Sequence, residues 1–342
     1  MTTSLEGLDL DALDRHLRSI GIARTGELKA EFISGGRSNM TFLVFDDASK
    51  WVLRRPPLHG LTPSAHDMAR EYRVVAALQD TSVPVARAVT LLNDDSVLGA
   101  PFQMVEYVAG RVVRHTDELD ALGDRAAISD CVDALIQVLA NLHSVDPEAV
   151  GLGDFGKATG YLERQVRRWG SQWELVRRED DPCDADVQRL HCALAQAIPS
   201  QSRGGIVHGD YRIDNTMLDA DDATKVLAVL DWEMSTLGDP LSDAALMCVY
   251  RHPLFNVIHA SSAWASPLMP EPDDLANRYA KAAGQELDNW DFYLALGYFK
   301  VAIIAAGIAF RARMGGGVAT DTDKVDQAVA PLVAEGLRAL KD

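Results

Sequence analysis

The sequence predicts an α+β protein in two parts, and three features of its pattern carry that expectation. Over roughly the first hundred residues, apolar positions mostly follow the two-residue period of strands, with one helix-period segment among them. Beyond Gly110 the spacing is mostly the three-to-four-residue repeat of helices. One β-rich interruption, Ile206 to Leu230, breaks the helical part. The expected division is residues 1–108, β-rich with a leading helix, and residues 109–342, mainly helical.

Leu10, Leu13, Leu17 and Ile20 share one face of a helix expected over Leu8 to Ile20. Strands follow at Glu31–Ser34, Met40–Phe45 and Trp51–Arg54, separated by Gly35-Gly36 and by the turn cluster from Asp46 to Ser49. Pro56 and Pro57 end the third strand because proline cannot donate to a ladder. The next helix, with Thr62 or Ser64 as its cap, puts Met68, Tyr72, Val75 and Leu78 on its apolar face, with Glu71 beside the stripe. Strands Ala86–Leu92 and Phe102–Tyr107 close the first part. In the second, Ile128, Val132, Leu135, Leu139 and Leu142 mark a buried helix. Further helices are expected at Tyr161–Arg178, Ala185–Ala197, Asp273–Ala283, Asn289–Arg313 and Val325–Leu340.

Composition excludes several classes. A formal net charge of -17 repels nucleic acid and anionic membranes and is compatible with a cationic substrate. A mean hydropathy of -0.06 and a hydrophobic fraction of 47% describe an ordinary globular chain. The longest apolar stretch, Phe292 to Phe310, contains Lys300, whose charge at mid-span favours a buried core helix over a membrane span. Cys131, Cys183, Cys192 and Cys248 show no metal spacing; with an acidic N-terminal segment, they suggest a reducing cytoplasm.

The chemistry concentrates in the interruption, which runs His208-Gly209-Asp210-Tyr211-Arg212-Ile213-Asp214-Asn215 and, after a hairpin turn centred near Ala223, Asp231-Trp232-Glu233. Pairing of the hairpin strands would bring the Asn215 amide and the Asp231 carboxylate together at its open end, as hard oxygen ligands suited to Mg²⁺. Asp210, five residues before Asn215, supplies an acid for an attacking hydroxyl, and its spacing matches the D-x-x-x-x-N of kinase catalytic loops.

HGDYRIDN, VLDWE and LGDPLSDAA together resemble the aminoglycoside phosphotransferase/choline kinase superfamily. FISGGRSNMTF, WVLRRPP and MAREYRVVAAL bring the likeness closest to the phosphotransferase-like proteins related to the kinase domain of certain acyl-CoA dehydrogenases. The resemblance covers roughly residues 30 to 315 and implies a two-lobed protein-kinase-like fold using ATP and Mg²⁺. It implies Asp210 as base, His208 as a brace of the loop, and Asn215 and Asp231 as metal ligands. Glu71 resembles the helix acid that fixes a phosphate-binding cation, here Arg54 or Arg55 where kinases carry lysine. Gly35, Gly36 and Arg37 stand at the glycine loop, although the pattern is not GxGxxG. Gln103 to Val108 resembles the interlobe hinge, with backbone groups near Glu106 and Val108 meeting adenine. Asp239 and Asp243 resemble anchors behind the site.

Arg212, Trp232 and Glu233 are candidate substrate contacts, while His143 is expected to cap or pack, and Gly315-Gly316-Gly317 to stop a helix. The function expected is transfer of a γ-phosphate to a hydroxyl of a small molecule, either a hydroxyacyl-CoA or an aminoglycoside-like alcohol. A CoA ester would need basic contacts, for which Arg212, Arg251, Arg311 and Arg313 are candidates. The alternative is a nucleotide-binding pseudokinase that regulates a partner protein. Retention of Asp210 beside both metal ligands argues against it, because binding alone needs no base.

Overall fold

A computed structural model describes residues 5–34, 39–58, 67–259, 262–315 and 322–341. The chain forms two units, Met1–Gly110 with Leu227–Glu233, and Arg111–Val226 with Met234–Asp342. A division at 108/109 leaves residues 227–233 in the second part, whereas the structure groups them with the first. There the Val229 N–H donates to the Pro84 carbonyl at 2.8 Å.

In the smaller unit, helix α1 (Leu10–Ser19) is capped by Asp9, whose carboxylate accepts from the Ala12 N–H at 2.9 Å. Strands β1 (Lys29–Ser34), β2 (Met40–Phe45) and β3 (Lys50–Arg55) precede helix α2 (Met68–Leu78), and β4 (Ala88–Leu92) and β5 (Phe102–Glu106) follow it. The sheet order is β1-β2-β3-β5-β4, all antiparallel. Leu13 and Leu17 of α1 pack with Phe42, Val44, Leu53, Phe102 and Met104. Alternation along a strand then turns Arg54 to the opposite face from Leu53. Asp67, accepting from the Arg70 N–H at 3.0 Å, caps α2; Thr62 and Ser64 lie outside the described residues. The buried face of α2 contains Glu71 itself, with Met68, Val74, Val75 and Leu78, while Tyr72 is half-buried.

In the larger unit the described helices are α3 (Thr116–Asp120), α4 (Arg125–Ser144), α5 (Tyr161–Val176), α6 (Asp184–Gln196), α7 (Pro240–Val249), α8 (Phe255–Ile258), α9 (Pro272–Ala283), α10 (Trp290–Arg313), α11 (Thr322–Gln327) and α12 (Val329–Ala339). Helices α3, α7 and α8 are additions to the expected set. For α7 a signal was present, an Asp239 cap followed by Pro240 at the first helical position. The single helix expected over Val325–Leu340 is instead the two helices α11 and α12. Pro331 separates them, because it has no N–H for the Gln327 carbonyl one turn back. The apolar α10 is a core helix with Phe299, Ala302, Ile303 and Ala306 among its buried residues. Its length and composition would also suit a membrane span. Short strands β6 (Gly205–Val207) and β9 (Thr236–Gly238) pair antiparallel, and β7 (Thr216–Leu218) and β8 (Val226–Val229) form the expected hairpin.

Candidate active site

The end of β6 delivers His208, Gly209 and Asp210 into a loop held from several sides. Asp243, on α7 and 2% exposed, accepts from the backbone N–H groups of His208 at 2.5 Å and Gly209 at 2.8 Å. His143 lies behind it, with Nε2 3.4 Å from Asp243 and Nδ1 2.7 Å from the Tyr279 hydroxyl. His143 is thus a member of a buried network, in keeping with the packing role expected of it. Asp239 is equally enclosed, accepting from Ser202, Leu241 and Tyr293. His208 is fully buried, its Nδ1 accepting from the Asp210 N–H at 3.2 Å. Lys300 of α10 donates to the Gly209 carbonyl at 2.6 Å. Burial pulls the Lys300 amine below its ordinary value, against the opposing pull of Asp210 and Asp243.

Gly209 has φ +85°, and a Cβ there would stand 2.9 Å from the Met234 carbonyl oxygen. Replacing it with alanine therefore combines left-handed strain with a backbone clash. Gly209→Ala is expected to lower unfolding free energy by about 1–3 kcal/mol. Urea denaturation would measure this, and an unchanged midpoint would remove the steric argument.

Asp210 sits where the loop turns, its side chain 25% exposed. Its Oδ2 accepts from Asn215 Nδ2 at 2.9 Å, and the same amide also donates to the Asp210 carbonyl at 2.8 Å. These two bonds fix the amide orientation and leave Asn215 Oδ1 as its acceptor end, the end a cation would use. Tyr250 Oη donates to Asp210 Oδ1 at 2.5 Å, while Arg212 Nε and Nη2 reach the two carboxylate oxygens at 3.3 Å each. Burial pushes the Asp210 carboxyl up, but Arg212 and the Tyr250 hydroxyl outweigh it and hold the group below the usual carboxylate value. Tyr250 and Lys300 escaped the sequence reading, since each lies dozens of residues from the motif and neither carries a local signature.

In the smaller unit, Arg54 and Arg55 separate cleanly. Arg54 Nη1 lies 2.6 Å from Glu71 Oε2, whereas Arg55 turns to the other face and donates to the carbonyls of Leu98, at 3.1 Å, and Gly7. Glu71 also accepts from Gln103 Nε2 at 2.9 Å and Asn39 Nδ2 at 3.4 Å. Burial raises the Glu71 carboxyl, with Arg54 opposing and the Asp231 carboxylate adding to the rise. Gln103 thus serves Glu71 through its side chain, a contact the hinge reading did not anticipate. The Glu106 N–H is committed to the Arg87 carbonyl at 2.8 Å, and among the described hydrogen bonds none involves the Val108 backbone. Gly35, Gly36 and Arg37 lie outside the described residues.

Asp231 has φ +60°, an uncommon backbone for a residue with a side chain, and such strain concentrates at functional positions. Trp232 is buried with its indole N–H on the Val229 carbonyl at 3.1 Å, and Glu233 is exposed. Among the described residues no group of three or more His, Cys, Asp or Glu is placed to hold a metal. Mg²⁺ does not require one, since it is commonly held by one or two protein oxygens together with substrate phosphates and water. Asn215, with its amide oxygen oriented, and Asp231, with its carboxylate, are each of a donor type that Mg²⁺ takes.

The other candidate basic contacts are mostly committed. Arg251 is buried on the carbonyls of Pro270, Trp264 and Met269, and Arg313 holds Asp326 and the Val176 carbonyl. Arg311 is exposed.

A β-rich unit in which Arg54 meets the buried Glu71, and a helical unit with an Asp-x₄-Asn loop, are the parts of a protein-kinase-like phosphotransferase fold. The family model of the phosphotransferase enzyme family (APH) matches residues 29–294, and the chain belongs to that family. Acyl-CoA dehydrogenase family member 10 of Mus musculus is 34% identical over 348 residues, covering 97% of this chain and 32% of its own length. Family member 11 of Homo sapiens is 34% identical over 338 residues, covering 96% of this chain and 42% of its own. The chain therefore spans 32% and 42% of the lengths of these two relatives. Among solved structures, a Ralstonia eutropha chain provisionally assigned as an aminoglycoside phosphotransferase superposes with a TM-score of 0.83 at 33% identity, covering 97% of this chain and 98% of that one. The aminoglycoside phosphotransferase APH(4)-Ia, in a ternary complex with AMP-PNP and hygromycin B, shares the fold at a TM-score of 0.61 and 14% identity, covering 96% and 98%.

Proposed function

We propose that this chain transfers the γ-phosphate of ATP, with Mg²⁺, to a hydroxyl of a small molecule. The observation that carries the proposal is the Asp210 carboxylate held at 2.9 Å by the amide of Asn215, five residues on, in a loop anchored from behind by Asp243. Asp210 accepts the proton of the acceptor hydroxyl as its oxygen bonds to the γ-phosphorus and the bond to the bridging oxygen breaks, leaving ADP and a phosphate ester. His208 and Lys300 hold the loop so that this carboxylate does not have to be organised at each turnover. Arg54, oriented by Glu71 and Gln103, supplies the cation for nucleotide phosphates. Asn215 and Asp231 are the ligands assigned to Mg²⁺, which when bound offsets the charge on the phosphates.

For the acceptor we favour a hydroxylated acyl-CoA or a related lipid-derived hydroxyl. The relatives named as acyl-CoA dehydrogenases support this, whereas likeness to the hygromycin-bound enzyme is a likeness of fold. The test is a transfer screen with γ-labelled ATP and Mg²⁺ across hydroxyacyl-CoAs, aminoglycosides and amino-alcohols. Labelled ester is expected from the first class. Mg²⁺-dependent ATP binding with no labelled product from any class would instead support a pseudokinase.

A further inference from the structure

Every acceptor position of the Asp210 carboxylate is taken. An ionised carboxylate offers about four lone-pair sites, and four donors meet them: Tyr250 Oη at 2.5 Å and Arg212 Nε at 3.3 Å on Oδ1, Asn215 Nδ2 at 2.9 Å and Arg212 Nη2 at 3.3 Å on Oδ2. A hydroxyl that is to hand its proton to Asp210 must replace one of them. The two Arg212 contacts are the longest. Arg212 also has somewhere to go, because its Nη1 already pairs with Asp214 Oδ2, while Asp214 Oδ1 is buried with no hydrogen-bond partner. The guanidinium lies 5.6 Å from the Tyr250 ring centre and 5.4 Å from that of Phe255, so aromatic rings attract its charge on the way.

We propose that Arg212 is a positioning residue with two stations. Without an acceptor it holds the Asp210 carboxylate. When the acceptor hydroxyl arrives, Arg212 releases Asp210 and closes on both oxygens of Asp214, and the hydroxyl takes a vacated site. The two long bonds lost are matched by one from the hydroxyl and one to the unpartnered Asp214 oxygen. Charge pairing is kept throughout, because the guanidinium never leaves a carboxylate. The use of this exchange in turnover rests on the phosphotransfer reading above; the existence of the second station does not.

Two experiments decide it. In the first, Asp214→Asn is assayed with the acceptor that the wild-type chain phosphorylates best. Removing the second station pins Arg212 on Asp210, so kcat falls on the order of tenfold with KM for ATP unchanged. Adding Arg212→Met recovers most of that loss, since nothing is left to pin the base. A merely structural role predicts the opposite, a double variant worse than either single one, and that result overturns the proposal. In the second, the crystal structure of Asp210→Asn is determined. Arg212 is expected on both oxygens of Asp214; a guanidinium still on residue 210, with Asp214 Oδ1 unpartnered, overturns the second station. If the wild-type chain labels no acceptor, the phosphotransfer reading fails, and the crystal structure still decides where Arg212 can go.

Discussion

Asp210→Asn is expected to lower phosphate transfer by about 10²–10⁴-fold while leaving ATP affinity within about twofold of wild type. The amide keeps the shape of the carboxylate and an oxygen to accept from Tyr250 Oη, which stands 2.5 Å from Oδ1 in the native site. What it loses is the capacity to take a proton. Arg212 does not become an unpaired buried cation, because Asp214 remains to hold it. The fold therefore survives, and the loss falls on the chemical step rather than on binding. Single-turnover transfer and ATP titration, made on the same preparation, separate the two. Turnover close to wild type on the true acceptor would take Asp210 out of the reaction.

The second large effect concerns stability. Asp243→Ala leaves the N–H groups of His208 and Gly209 and the ring of His143 without the carboxylate they now share. Each buried donor left without an acceptor costs about 1–3 kcal/mol, together a large part of the roughly 5–15 kcal/mol that holds a domain folded. The pH dependence has a definite sign. Burial pushes the Asp243 carboxyl up, but hydrogen bonds from His143 and the His208 backbone outweigh it and hold the group below its unfolded value. A carboxyl depressed in the folded state stabilises the protein above the unfolded value of about 3.9 and loses that contribution as pH falls through the lower, folded value. Wild type should therefore lose stability below about pH 4 more steeply than the variant. Equal acid slopes in the two would show that Asp243 contributes nothing to the linkage.

Much of the site could be read from local sequence because its parts are local. The Asp-x₄-Asn spacing places Asn215 on Asp210 through a single short turn, Ile213–Asn215, and β6 runs directly into it. The backbone angle of Gly209, which a side chain disfavours, became visible only in the structure. Glu71 was visible as a helix acid, but its burial was not, because a carboxylate on an apolar face reads as an edge residue until its partners are known. Those partners, Arg54, Gln103 and Asn39, come from strand and loop positions between 17 and 32 residues away.

By itself, the sequence determined the strands of the smaller unit, the longer periodic helices, the loop that carries Asp210 and Asn215, and the family, since each rests on periodicity or on residues a few positions apart. Tertiary structure decided which of two adjacent arginines meets Glu71. The β2–β3 register pairs Thr41 with Arg54 and Phe42 with Leu53, so that alternation sends one guanidinium to α2 and the other to the carbonyls of Gly7 and Leu98. It also decided that Tyr250 and Lys300 belong to the loop at Asp210. Side-chain contacts across 40 and 91 residues exist only once helices have packed, and no local pattern encodes them.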